Sequence, residues 1–248
     1  EEVARKLLDG LAYNDIEADL LSIYHRWADS ETYSPSLMNY VANYNLDSSV
    51  DPWAAHPDHC FADLDQKALQ QLTGHLRDKP YVSGKLDAIR ARAKNTRVKR
   101  FIPTWWQDFT TLMEFDNQPL TACSSFDQVV GFYTNHFAQV DRAIRNLYTV
   151  FLSDKSIIRP LQEYYESLNY ELLQKWFEYA HQYKSDQQCY LPDLFKNAKP
   201  GTAVIVGDGI RYEIADYVAT ALANKFKVDK QTMLAGLPSE TEHNMSAL

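Results

Sequence analysis

Apolar residues recur at helical spacing along most of the chain. Leu7, Leu8 and Leu11, then Leu20, Leu21, Tyr24 and Trp27, follow a period of roughly 3.6 residues and predict two helical stretches over 1–28, joined near Asn14. Ser34 followed by Pro35 reads as an N-cap and a first-turn proline, which places a short helix from Ser36. "DSSVDPWAAHPDHC" has two prolines and no period, so it reads as loop, and the stripe of Leu64, Leu69, Leu72 and Leu76 then restores a helix. Further helix is predicted over 81–115, interrupted near Pro103, because proline lacks the N–H and crowds the preceding turn. Residues 126–152 carry the most persistent apolar face: Phe126, Val129, Val130, Tyr133, Phe137, Val140, Ile144, Leu147, Tyr148 and Phe151. One more helix, interrupted around Pro160, is expected over about 157–184, with Leu161, Tyr164, Leu168, Leu172, Leu173, Trp176, Phe177 and Ala180 facing inward.

The period changes after "KNAKPG", residues 196–201, a polar connector with Pro and Gly. "TAVIVGD" is a short β-branched run suited to a strand buried on both faces. Ile214, Val218, Ala221 and Leu222 then mark one face of a helix, and "KVDKQTMLAGLPS" supplies a second strand; strand, helix, strand is the unit of a parallel sheet. The expected architecture is therefore mainly α: a helical region over 1–195, divisible near 116–125, a linker at 196–201, and over 202–248 the beginning of an α/β domain with parallel strands and flanking helices.

Composition narrows the function classes. With 248 residues, 45% of them hydrophobic, the chain buries enough surface for one large domain or two smaller ones. A net charge of −8 argues against a general nucleic-acid coat but leaves room for a local basic patch. Cys60, Cys123 and Cys189 are far apart and form no C-x-x-C pair, which suits a reducing, cytoplasmic setting. No apolar run reaches the roughly 18 residues that span a bilayer, so no membrane partner is expected. A first residue of Glu1 and a last stretch "HNMSAL" inside an amphipathic segment suggest a piece of something longer.

Candidate chemistry gathers near the carboxyl end. Asp208 lies where the first strand would stop, the edge at which open α/β sheets bind ligands, and a carboxylate there can hold a divalent cation. Asp-Gly is also an ordinary turn signal, and Asp208 would equally cap the next helix. After the second strand, "LPSETEHNMSAL" crowds Ser239, Thr241, His243 and Asn244 onto another strand-to-helix junction. A hydroxyl here would serve as a nucleophile beside a metal, or simply as an N-cap followed by Glu.

The paired stretches "VIVGDGIRYEIADYV" and "AGLPSETEHNMSAL" resemble the PglZ proteins of the BREX phage-defence systems, members of the alkaline phosphatase superfamily. The match is carried by Asp208, Arg211, Tyr212, Glu213, Leu237, Pro238, Ser239, Thr241, Met245 and Leu248, and covers about the last 50 residues. "VDRAIRNLYTVF" and "LPDLF" look similar to the helical region ahead of that family's catalytic domain. The resemblance implies a two-metal hydrolase, usually with zinc, acting on phosphate esters or nucleic-acid phosphodiesters. It makes Asp208 the first metal-binding Asp, Thr241 the nucleophile and a metal ligand, Asn244 a donor to a nonbridging phosphate oxygen, and Arg211 and Glu213 supporting residues. The family's remaining Asp and His ligands are expected beyond Leu248, so this chain by itself is expected to be inactive or nearly so. The implied partners are other BREX components, such as BrxB or the methyltransferase PglX.

Two further features complete the set. "KLDAIRARAKNTRVKR", residues 85–100, holds seven Lys/Arg and one acidic residue, followed by Trp105 and Trp106. Arg90, Lys94, Arg97, Lys99 and Arg100 read either as a DNA-tracking face with stacking aromatics or, preferably, as a solvated face paired with the acidic remainder. "HPDHC" spaces His56, His59, Cys60 and Asp63 like metal ligands, but without a second ligand pair a zinc site is not expected. As a rival to catalysis, the aromatic-rich helices would form an interaction module that docks another BREX component.

Overall fold

The computed structural model describes residues 2–187, 190–240 and 242. The chain is mainly helical, with no strand among the described residues. It divides into two compact units, the first formed by Glu1–Phe115 with Ala143–Ser167 and the second by Asp116–Arg142 with Leu168–Leu248.

The first unit begins with α1 (Glu2–Ala12) and α2 (Ala18–Asp29). Asn14 makes the turn between them in the left-handed region at φ 55°, which Asn tolerates better than most residues. Gly10 allows the close return of the chain, since a Cβ there would lie 2.9 Å from the Asp15 carbonyl oxygen and 3.0 Å from Ile16 Cβ. In α3 (Ser34–Ala42) Pro35 stands in the first turn, but Ser34 is a buried helical residue and Tyr33 takes the cap position without a side-chain bond, so the helix starts earlier than the Ser-Pro signal indicates. Leu7, Leu8, Leu11, Tyr24, Leu37, Phe61 and Leu64 fill the core of these elements, each worth about 1.5–3 kcal/mol of burial. Next come α4 (Ala62–Thr73), α5 (Lys79–Ala93) and α6 (Trp105–Met113), and Pro103 falls in the break between the last two. Asp78 caps α5 by accepting a bond from the Tyr81 N–H at 3.1 Å.

The rest comprises α7 (Gln118–Thr121), α8 (Phe126–Phe132), α9 (Ala138–Phe151), α10 (Lys155–Glu178), α11 (Tyr190–Asn197) and α12 (Tyr212–Leu222). Ser125 caps α8 through its Oγ, and a five-residue π-helical turn, Tyr133–Phe137, leads into α9. That turn explains a spacing the helical period does not: Phe132 and Phe137, five residues apart, are both buried.

Two expectations are corrected. Pro160 lies within α10 rather than interrupting it, because near the helix start it removes a single bond, that to the Ser156 carbonyl. Leu161 and Leu172 are buried as expected, but Leu173 and Phe177, the latter 70% exposed, point to solvent. The α/β part is not seen: 202–207 has no strand pairing among the described residues and Ile205 is 93% exposed, and a parallel strand forms only with neighbours to bond to. Residues 234–236 bond elsewhere, the Asp186 N–H donating to the Leu234 carbonyl at 3.3 Å and the Gly236 N–H to Gln187 Oε1 at 2.7 Å.

Candidate functional site

Asp208 stands in an exposed turn, followed by Gly209 at φ 67°, a conformation that a residue with a Cβ adopts at a cost. The chain then enters α12, with Arg211 exposed at the N-cap position and Glu213 in the first turn. Glu213 is only 2% exposed. The Tyr133 hydroxyl lies 2.8 Å from Asp141 Oδ2 and 3.4 Å from Glu213 Oε2, so its proton serves mainly the former. Burial, then the Asp141 carboxylate, raises the Tyr133 phenol above its ordinary range, and it remains a neutral donor. Tyr133 and Tyr212 also meet edge to face at 6.1 Å. On the other side of Tyr212, the Lys230 ammonium lies over the ring at 5.2 Å and bonds Asp216 Oδ1.

Asp141 and Lys230 were not indicated by the sequence, and Tyr133 was read only as part of the apolar face of 126–152. Tyr133 and Glu213 are 80 residues apart, and no local pattern links them. Of the expected site residues, Asp208, Arg211 and Glu213 belong to one turn and the helix after it, whereas Thr241 and Asn244 lie outside the described residues. As a hard oxygen donor in an exposed turn, Asp208 suits a divalent cation, but it is one donor where three or four are needed. Among the described residues no group of three His, Cys, Asp or Glu side chains could hold a metal ion.

The basic stretch is divided by its partners. Arg90 pairs with Glu114 and with Asp87, at 2.6 Å in the latter case. Arg97 lies 3.9 Å from Asp58 and Arg100 3.8 Å from Glu31, while Lys94 and Lys99 are exposed. Trp105 and Trp106 are both buried, so neither indole offers solvent a stacking face.

"HPDHC" belongs to a polar network within the first unit. His25 Nε2 meets Asp58 Oδ2 at 2.7 Å, and the Asn95 amide donates to Asp58 Oδ1 at 2.6 Å. Arg92 reaches Asp65 through Nε and Nη2 at 2.9 and 2.7 Å, and Trp106 Nε1 donates to the same carboxylate at 2.6 Å. Burial pushes the Cys60 thiol up to about 12, which makes it a poor metal ligand and a poor nucleophile.

No helix among the described residues is long and apolar enough to cross a membrane. Compared with known proteins, the chain matches no family model and has no significant match among curated proteins or solved structures.

Proposed function

We propose that the chain is part of a PglZ-like, metal-dependent phosphatase or phosphodiesterase of the alkaline phosphatase type, acting in the cytoplasm with other BREX components. The observation that carries this reading is the paired match of "VIVGDGIRYEIADYV" and "AGLPSETEHNMSAL", joined to the placement of Asp208 in an exposed turn just before α12. The finer fold belongs to the same proposal: 202–207 is the first strand of a parallel sheet, and Ile214, Val218 and Leu222, all exposed, are the face of α12 that such a sheet covers.

In this reading two divalent ions, zinc by resemblance, supply Lewis-acid stabilisation of phosphate charge when bound. Asp208 presents a carboxylate oxygen to one of them. Thr241 would supply the attacking hydroxyl and a metal-binding oxygen, Asn244 would donate a hydrogen bond to a nonbridging oxygen, and Glu213, buried beside Tyr133, would fix the start of α12 behind Asp208. In the full-length protein, Asp208→Asn and Thr241→Ala are each expected to lower zinc-dependent hydrolysis of bis(p-nitrophenyl) phosphate by about a hundredfold or more, with helical circular dichroism unchanged. Hydrolysis that survives either change at the original rate sinks the reading.

The docking alternative has its own support. Tyr170, Leu173 and Phe177, spaced by three and four residues on α10, are all exposed. If they seat another BREX component, Phe177→Asp in the full chain abolishes its capture and leaves phosphodiester hydrolysis unaltered.

A further inference from the structure

The first unit holds a cavity of about 290 Å³ between the loop that carries Pro52 and His59 and helices α4, α5 and α6. Its size suits a fragment-sized molecule. The walls are largely apolar, with Ala68, Ile89 and the rings of Trp53 and Trp106. Most of the polar groups at its edge already have partners. Arg92 spends Nε and Nη2 on Asp65 and Nη1 on the carbonyls of Pro57 and His59, at 3.1 and 2.8 Å. Trp106 Nε1 is bound to Asp65 and Trp53 Nε1 to Gln71, both at 2.6 Å. Asp58 is engaged by His25 and Asn95.

His59 is the exception. The residue is 5% exposed and lines the cavity. Nδ1 accepts from the Phe61 N–H at 3.3 Å and lies 3.4 Å from Arg92 Nη2, so in the neutral ring the hydrogen resides on Nε2. Burial, then the Arg92 charge, holds the imidazole well below its ordinary range and keeps it neutral. Nε2–H has no hydrogen-bond acceptor among the described residues.

We propose that this cavity binds a small, neutral, aromatic molecule bearing one hydrogen-bond acceptor, of the carboxamide type, which meets the His59 Nε2–H. The part-buried Trp53 indole in the wall favours a flat ring. Neutrality follows from the charges at the edge, which are already matched in pairs, so an incoming ion would be desolvated with nothing to answer it. The site uses none of the residues assigned to hydrolysis and stands or falls separately from that reading.

Benzamide is a suitable probe, followed by NMR shifts of the Trp indole N–H signals of the full chain. Saturable binding is expected with a Kd on the order of 1 mM, fitting for a ligand of that size, and benzoate and benzylamine should bind at least about tenfold more weakly. His59→Asn keeps an acceptor where Nδ1 stood and removes the Nε2–H, and should weaken benzamide by about fivefold to tenfold. Ala91→Trp, at an exposed position on the cavity rim, should abolish binding without loss of helix content. No saturable shift, equal affinity for all three probes, or benzamide binding that persists in Ala91→Trp would each overturn the proposal, and the last decides even where His59→Asn perturbs the fold.

Discussion

Asp65 illustrates how much one residue can hold. Only 2% exposed, it accepts bonds from Arg92 Nε, Arg92 Nη2 and Trp106 Nε1. Removing one partner of such a pair strands the other charge away from water, so Asp65→Ala should lower stability by about 3–5 kcal/mol in urea unfolding. Asp65→Leu combined with Arg92→Met leaves no stranded charge and should cost clearly less than the sum of the single changes. His59 brings a pH dependence of known sign. Its folded-state pKa lies below the ordinary 6.5, so its contribution is fully present above that pH and is lost as pH falls toward the folded-state value, where only the unfolded chain takes up the proton. His56 shifts the same way, chiefly by burial. Between pH 7 and 5 the urea midpoint should fall, by up to roughly 1.4 kcal/mol of stability per pH unit from His59 and by less from the part-exposed His56, and His59→Asn should flatten the slope. An identical slope in the variant would show that His59 is not the group responsible.

At the scale of the helices, side-chain caps differ in a way that thermal melting can read. Asp78→Ala and Ser125→Ala each remove a bond to an otherwise unpaired helix N–H and should cost about 1 kcal/mol. Glu17, at the cap position of α2, makes no cap bond and pairs with exposed Lys6, so Glu17→Ala should cost well under that. The helices themselves were legible because a buried face repeats: Leu7, Leu8 and Leu11 mark α1, and Val140, Ile144 and Leu147 mark α9. The join near Asn14 was legible from the break in the period, and the gap at Pro103 from proline's local chemistry. Pro160 misleads because proline's effect depends on how far into the helix it falls. Leu173 and Phe177 fit the period but face water, since period identifies a face and not what covers it. The candidate site was legible only in its local part, the Asp-Gly turn before α12; the Tyr133 bond to Glu213 depends on tertiary placement across 80 residues.

Over the whole molecule, the chain contributes to its two units alternately, 1–115 and 143–167 to one, 116–142 and 168–248 to the other. Exposure is uneven along it. Lys199, Lys225 and Lys227 lie in exposed chain, whereas Arg92 is buried and paired. Limited trypsin digestion should therefore cut first after Lys225 and Lys227, the bond after Lys199 being protected by Pro200, and early cleavage after Arg92 would contradict the packing of the first unit. The π-helical turn has a bearing on length as well as shape. An α-helix places residues seven apart on one side, yet Tyr133 and Asp141, eight apart, are bonded across the turn. The turn thus absorbs one surplus residue, and the helix after it keeps its phase. Deleting Asn135 should remove that surplus, leave Phe132 and Phe137 one ordinary helical turn apart, and yield a folded protein by circular dichroism and thermal melting. Deleting Asn146, inside regular α9, should instead rotate buried Leu147 and Phe151 by about 100° out of the core and unfold the helix that carries them.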